Sequence, residues 1–362
     1  MSFTIPNLEP NIGAVLHGIN DLRIENIPAP KELLPHEVLI QMKNVGICGS
    51  DVHYYTHGAI GPFVVKDPMI IGHESSGTVV QIGTDVTNVK VGDNVALEPG
   101  IPCQLSSCSS CHTGQYNLCP KMSFFATPPV HGSLCRYIKH PAAFCFKLPA
   151  NVSLEEGAMC EPLSVAVHAC RRGNIHAGHR VLVLGAGPIG LVCAQTARAS
   201  GATNVIITDI NQARLNFAKE HNFVDTIINV KGLTPEQVSQ EIKTILGGEG
   251  VDVVIECCGF TTALATGIAS VRGGGNIILV GMGSNVVDLP LLEASIREVD
   301  LRPVFRYRHS YSTAVELIAT GKVNVKPLIT HRFPGLDQDS VIKGFTMAKE
   351  GKDNAIKIMF SL

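Results

Sequence analysis

The run RVLVLGAGPIG at 180–190 constrains this chain more than any other stretch of its sequence. Its apolar half reads as a buried strand. Gly185, Gly187 and Gly190 then stand in G-x-G-x-x-G register as the strand gives way to the helical spacing of 188–200. Each glycine has its own physical reason: Gly185 permits a tight turn, Gly187 lets the backbone approach a pyrophosphate, and Gly190 allows close helix–strand packing. The helix N-terminus beyond them attracts the anion. Asp209 closes the next strand, NVIITD at 204–209, 19 residues beyond Gly190. A carboxylate there accepts both ribose hydroxyls of an adenosine and repels an added 2′-phosphate, which favours NAD over NADP. A cap on the turn before residue 211 is the alternative reading of Asp209. Arg214 either pairs with a 2′-phosphate or lines the adenine pocket.

The alternation that starts here continues through a polar helix around 235–246, a strand at 251–259, an Ala-rich helix near 262–270 and a strand at 276–281. Such repetition predicts an α/β unit, a doubly wound parallel sheet with helices on both faces. The first 150 or so residues differ. Short β-like runs at 37–46, 76–83 and 93–100, each closed by Gly, Pro or Asp, predict an all-β, barrel-like domain. Beyond about residue 304 come one helix near 310–320 and β-like pieces ending in IKIMFSL. Two domains suit 362 residues, and 45% hydrophobic against 17% charged residues excludes a disordered chain. A net charge of −2 with no basic run argues against nucleic acid and acidic membrane surfaces as partners. Neither an export signal nor an apolar run near the ~18 residues of a membrane span is present in the sequence.

Twelve cysteines in a long chain without an export signal are expected to stay reduced, as in the cytoplasm, so their spacing points to metal. Cys103, Cys108, Cys111 and Cys119 follow a C-x4-C-x2-C-x7-C pattern in a polar loop. Four thiolates on one loop close a tetrahedral zinc site that leaves no position open for chemistry. A second set is dispersed: Cys48 in VGICGSD, His73 and Glu74 in IIGHESSG, and Glu161 in CEPLSVAVH. Thiolate, imidazole and carboxylate are the three zinc ligand types, and three of them plus a water make a catalytic site. Spacing alone does not join these residues. A hydride-accepting cofactor in the same chain strengthens a ligand role for them without joining them, because alcohol oxidation needs something to stabilise a developing alkoxide.

At these residues the chain resembles the zinc-dependent medium-chain dehydrogenases, and within them the sorbitol (L-iditol 2-) dehydrogenase family, with xylitol dehydrogenases close by. The likeness runs from VGICGSDVHYY and GHESSGTV through YNLCP, ATPP, EEGAMCEPLSVAVHACRRG and GAGPIG to REVDLRPVFRY and VNVKPLITHRFP. It implies a GroES-like β-rich catalytic domain of residues 1–162 and 305–362, a Rossmann NAD-binding domain of 163–304, a cofactor cleft at their junction, and a homotetramer. It implies zinc ligands at Cys48, His73 and Glu74, with Glu161 hydrogen-bonding the water in the open position. In related alcohol dehydrogenases the third ligand lies near the Glu161 position, so Glu74 and Glu161 can exchange roles; Glu74 is the expected ligand.

The resemblance further implies Ser50 and His53 as a proton relay toward solvent. Tyr54, Glu161, Arg306 and Tyr307 become polyol contacts, with Phe124 and Thr127 as pocket wall. Arg306 has a physical reason for that role, since its fixed fork of donors suits several hydroxyl oxygens at once; an interdomain ion pair is its alternative. Ile189, Asp209, Arg214, Val280, Gly281, Met282, Phe305, Arg306 and Tyr307 become NAD-lining positions. The four-cysteine loop departs from the wider superfamily's C-x2-C-x2-C-x7-C: two residues are inserted after Cys103, and Leu105 stands where an ungapped match expects cysteine. A short insertion in a surface loop is tolerable, so zinc is still expected to bind, and its loss would weaken folding without removing the chemistry.

The expected reaction is oxidation of a C2 secondary alcohol of a linear polyol, such as sorbitol, xylitol or L-iditol, to the ketose with NAD. Its rivals are another secondary alcohol such as threonine or butanediol, a zinc-free binding or structural role, and a nucleic-acid-binding zinc ribbon. The intact Cys48, His73, Glu74 set argues against the second, and the lack of basic residues around 103–119 against the third.

Overall fold

The computed structural model describes residues 3–4, 8–284 and 286–362. The chain divides into two compact units, one built from the segment up to Glu161 together with Val325–Leu362, the other from Pro162–Asn324.

The first unit is organised around the strand Glu37–Gly46, which pairs antiparallel with Glu74–Ile82, Tyr137–Pro141 and Lys357–Ser361. Because successive side chains point to opposite faces of a strand, Val38, Ile40 and Met42 enter the main core while Leu39 enters a smaller one with Leu33 and Tyr137. Core on both faces is why the strand carries consecutive apolar residues at Val38–Ile40 rather than strict alternation there. The last strand delivers Ile358 and Phe360 into the main core, where Phe345 of the helix Gln338–Glu350 joins them. The C-terminal tail therefore completes the N-terminal sheet.

In the second unit six parallel strands, among the described residues, follow the order Thr226–Asn229, Asn204–Asp209, Arg180–Leu184, Val251–Glu256, Val271–Leu279, Asp300–Pro303. Counted along the chain this is 3-2-1-4-5-6, the doubly wound order whose ligand crevice lies where the order reverses, between the first and fourth strands. Helix Pro188–Ala199 starts with proline at its first turn, where a missing N–H costs nothing, and buries every residue from Gly190 to Ala197.

The second boundary lies later than the 305 expected from the sequence. Residues 305–324 stay with the parallel-sheet unit for identifiable reasons. Helix Tyr311–Ala319 buries Tyr311, Ala314 and Ile318. Arg171 donates to the His309 carbonyl at 2.6 Å and to Thr313 Oγ1 at 2.8 Å, and the Asn324 N–H donates to Gln195 Oε1 at 2.8 Å. No helix among the described residues is long and apolar enough to cross a membrane.

Candidate active site

Helix Gly49–His57 starts at Cys48, which serves as its N-cap. Asp51, in the first turn, accepts the Cys48 N–H at 3.0 Å and the Gly72 N–H at 3.2 Å, and its Oδ1 lies 3.3 Å from His73 Nδ1. One carboxylate, 1% exposed, thus fixes the backbone at Cys48 and sits against the His73 ring at Nδ1. Glu74 opens the strand Glu74–Ile82 opposite Gly46. A Cβ on Gly46 would collide with Glu74 Oε2, so glycine there is what leaves the carboxylate its space. The Cys48 sulfur, a His73 ring nitrogen and a Glu74 oxygen all lie within 4.8 Å of one another.

The charges around this cage suit a cation. Burial pushes the His73 imidazole down, but Asp51 and Cys48 more than offset it, and its pKa stands well above the ordinary value. Lys357, 3% exposed, places its ammonium 2.6 Å from both oxygens of the fully buried Glu74. Burial disfavours that charge too, yet Glu74, Cys48 and Glu161 raise the lysine pKa above its usual value, so the ammonium stays protonated. The donor set, thiolate, imidazole and carboxylate in a buried recess, fits zinc.

Glu161 lies in the first turn of the helix Cys160–Arg172, 5% exposed. Glu98, 2% exposed, accepts a 2.7 Å hydrogen bond from the Tyr116 hydroxyl. Burial pushes the Glu98 carboxyl up to about 7; Tyr116 lowers it and the Glu161 charge raises it. Phe124 packs its ring 5.9 Å from that of His73, Thr127 is half-buried nearby in sequence, and Tyr54 is 3% exposed within the core. Ser50 is half-buried; His53 is exposed, stacked on His57, with Nδ1 2.8 Å from the Ala59 carbonyl.

The second metal cluster gathers despite its widened spacer. The four sulfurs of Cys103, Cys108, Cys111 and Cys119 lie within 4.8 Å of one another, and all four thiols are free of disulfides. A short helix, Ser109–His112, capped by Cys108, turns the loop back so that Cys103 and Cys111 sulfurs approach to 3.7 Å. The Cys119 sulfur accepts the Cys103 N–H at 3.4 Å. Although burial works against it, backbone donors from Cys103 and Lys121 bring its pKa down to about 7. The residues fit a closed tetrahedral zinc site.

In the parallel-sheet unit the glycines act as their pattern requires. Gly185 takes φ +104°, and a Cβ there would meet Cys258 Sγ at 2.6 Å; a Cβ on Gly190 would collide with the Gly185 carbonyl; Gly187 faces open space. That opening belongs to a cleft of ≈390 Å³ lined by Gly185, Gly187, Asp209, Arg214, Val230 and Phe260. Asp209 does cap the turn: Oδ2 accepts the Ala186 N–H at 2.7 Å and Oδ1 the Asn211 N–H at 2.8 Å. Each oxygen keeps a lone pair for a ribose hydroxyl, so the two readings of Asp209 are compatible. Ile189 is half-buried in the first helical turn, and Gly281 follows Val280 so close to Gly259 that a Cβ would strike its nitrogen. Met282 is exposed. The Arg306 guanidinium lies 4.7 Å over the Phe305 ring, and Tyr307 is 2% exposed against Tyr311. The cradle fits a dinucleotide.

Three residues that contact the candidate ligands escaped the sequence reading: Asp51, Gly46 and Lys357. Asp51 carried a usable signal, an acid three residues after Cys48 at a helix start. Gly46 and Lys357 carried none, because they meet Glu74 only through strand pairing.

Comparison with known proteins places these features in a family. Residues 34–150 match the model of the alcohol dehydrogenase GroES-like domain, and residues 188–320 that of the zinc-binding dehydrogenases. The sorbitol dehydrogenase of Homo sapiens is 49% identical over 96% of this chain and 95% of that protein. The sorbitol dehydrogenase of Arabidopsis thaliana is 49% identical over 98% of this chain and 96% of its own. Among solved structures, 2R,3R-butanediol dehydrogenase from Bacillus subtilis aligns with a TM-score of 0.86 at 31% identity, covering 97% of this chain and 99% of that one. L-idonate 5-dehydrogenase from Escherichia coli aligns with a TM-score of 0.87 at 28% identity, covering 100% and 99%.

Proposed function

The chain belongs to the sorbitol dehydrogenase family of zinc-dependent medium-chain dehydrogenases, and from that premise we propose that it oxidises the C2 secondary alcohol of linear polyols such as sorbitol, xylitol or L-iditol to the ketose. The observation that carries this reading is the gathering of Cys48, His73 and Glu74 in a buried, cation-seeking recess of a chain that also has a dinucleotide cradle. When bound, zinc lowers the pKa of a polyol hydroxyl and NAD takes up the hydride. Cys48, His73 and Glu74 hold the metal, with Asp51 fixing the first two. Glu161 orients the hydroxyl that is to lose its proton. Ser50 and His53 pass that proton outward: His53 commits Nδ1–H to the Ala59 carbonyl, so Nε2 is the accepting nitrogen at the exposed end. Tyr54, Arg306 and Tyr307 contact polyol hydroxyls, and Phe124 and Thr127 wall the pocket. Gly185, Gly187 and Gly190 cradle the pyrophosphate of NAD. Asp209 takes the ribose, Ile189 and Arg214 line the adenosine end, and Val280, Gly281, Met282 and Phe305 complete the cofactor lining. Cys103, Cys108, Cys111 and Cys119 hold a second, structural zinc.

The active form is a homotetramer in the cytoplasm. Self-association is supported by the apolar side chains of Val286, Leu292 and Ile296, which are 85%, 77% and 74% exposed. A reducing compartment is supported by twelve free thiols. The deciding experiment is the initial rate of NAD reduction with sorbitol and then xylitol, repeated after a zinc chelator and with NADP. A chelator-sensitive rate with NAD alone is expected. A rate with threonine or butanediol and none with either polyol would move the reading to those alcohols, a direction the Bacillus subtilis neighbour makes worth including.

A further inference from the structure

Lys357 makes three contacts with one ammonium group. It donates to Glu74 Oε1 and Oε2, each at 2.6 Å, and to the Ile47 carbonyl at 3.0 Å. Ile47 immediately precedes Cys48, so a single buried cation fastens the backbone leading into one metal-binding side chain and the carboxylate of another. Three adjacent strands bring this about. Gly46 pairs with Glu74 on one side and with Met359, two residues beyond Lys357, on the other.

A buried ion pair is weak evidence for stability. Desolvating both charges costs several kcal/mol per ion, and apolar residues of similar volume often do as well. The pair therefore calls for another reason to exist. A carboxylate offers about four lone-pair sites on its two oxygens. The ammonium occupies one on each and leaves others free for a metal, and a Glu74 oxygen lies within 4.8 Å of the Cys48 sulfur and a His73 nitrogen. Without the ammonium the buried carboxylate would lose both of these 2.6 Å contacts, and with them the restraint on its orientation. We propose that Lys357 is a positioning residue that fixes Glu74, rather than Glu161, as the third ligand of the catalytic metal. The inference rests on the metal reading of Cys48, His73 and Glu74.

The test is zinc release from the holoenzyme to a chromogenic chelator. The catalytic-site zinc is the release phase that Cys48→Ser abolishes, which separates it from any zinc in the four-cysteine loop. Lys357→Met should accelerate that phase about 10–100-fold, the range expected when a group that orients a metal ligand is removed. Lys357→Gln, which keeps a hydrogen-bond donor without the charge, should fall between, and carries the comparison if the Met variant fails to fold. The cobalt-substituted protein should show shifted visible bands in both variants. In a Glu74→Gln background Lys357→Met should add nothing, because the lysine acts through that carboxylate. Wild-type release rates and unchanged cobalt bands in the folded variants would overturn the inference, as would full additivity with Glu74→Gln. A wild-type protein lacking the Cys48-dependent phase would instead overturn the metal reading itself.

Discussion

The two candidate metal clusters of the first unit are built on opposite principles. Cys103, Cys108, Cys111 and Cys119 come from one short loop, offer a single ligand type and are held mainly by local turns. Cys48, His73 and Glu74 come from a helix start and a strand start, offer three ligand types, and are braced by the buried charges of Asp51 and Lys357. A loop of four thiolates fills a tetrahedral zinc's coordination shell and has nothing left for chemistry. Three mixed ligands leave a position open, and that openness must be protected by groups that stop the ligands from rearranging. The difference teaches that a catalytic metal site is recognised as much by its surroundings as by its ligands.

The sharpest way to break this comparison is to remove one ligand from each cluster. Cys48→Ser, or His73→Ala, should lower polyol turnover by more than about 10³-fold, ~4 kcal/mol in barrier, while NAD binding survives. Retained turnover in either variant, measured by NAD reduction, would remove the distinction between the clusters. Cys108→Ser should do the reverse. Losing one thiolate of a closed site should lower stability by roughly 2 kcal/mol, a fall of about 4–8 °C in thermal midpoint, with turnover per folded molecule changed only a few-fold. A Cys108→Ser protein as stable as the parent in zinc-replete buffer would show that the widened loop does not hold metal.

How far each region could be read in advance follows from how far its parts lie apart in sequence. The strand RVLVLG and the helix after it emerged as Arg180–Leu184 and Pro188–Ala199, because turn, phosphate approach and packing are all decided within eleven residues. The four cysteines were equally local. Cys48, His73 and Glu74 were legible as a set only through family resemblance, since nothing in their spacing brings strand Glu37–Gly46 beside Glu74–Ile82. Lys357 was not legible at all: 283 residues separate it from Glu74, and a lysine in a terminal strand ordinarily faces water. The compact units divide at Asn324/Val325 rather than near 305 for a related reason. The segment after it carries residues of functional interest, while its anchoring depends on Arg171 and Gln195 far upstream.

The smallest expected effect concerns a hydrogen bond between the four-cysteine loop and a buried carboxylate, from Tyr116 to Glu98. Tyr116 sits between Cys111 and Cys119 in sequence and donates to Glu98, whose buried carboxyl is raised from 4.5 to about 7 and feels the charge of Glu161. A carboxyl raised by folding binds its proton more tightly in the native state than in the unfolded chain. Stability from this group is therefore greatest below about 4.5 and declines as pH rises through about 7, where the native protein must carry the buried charge. The Tyr116 hydroxyl moderates that decline by stabilising the anion. Tyr116→Phe should push the Glu98 pKa higher still and steepen the loss, costing about 1 kcal/mol more at pH 8 than at pH 5 in urea unfolding. An equal cost at both pH values would mean that Tyr116 does not touch the ionisation of Glu98. The thiolate loop would then be an independent brace, and the two clusters would share a domain without sharing electrostatics.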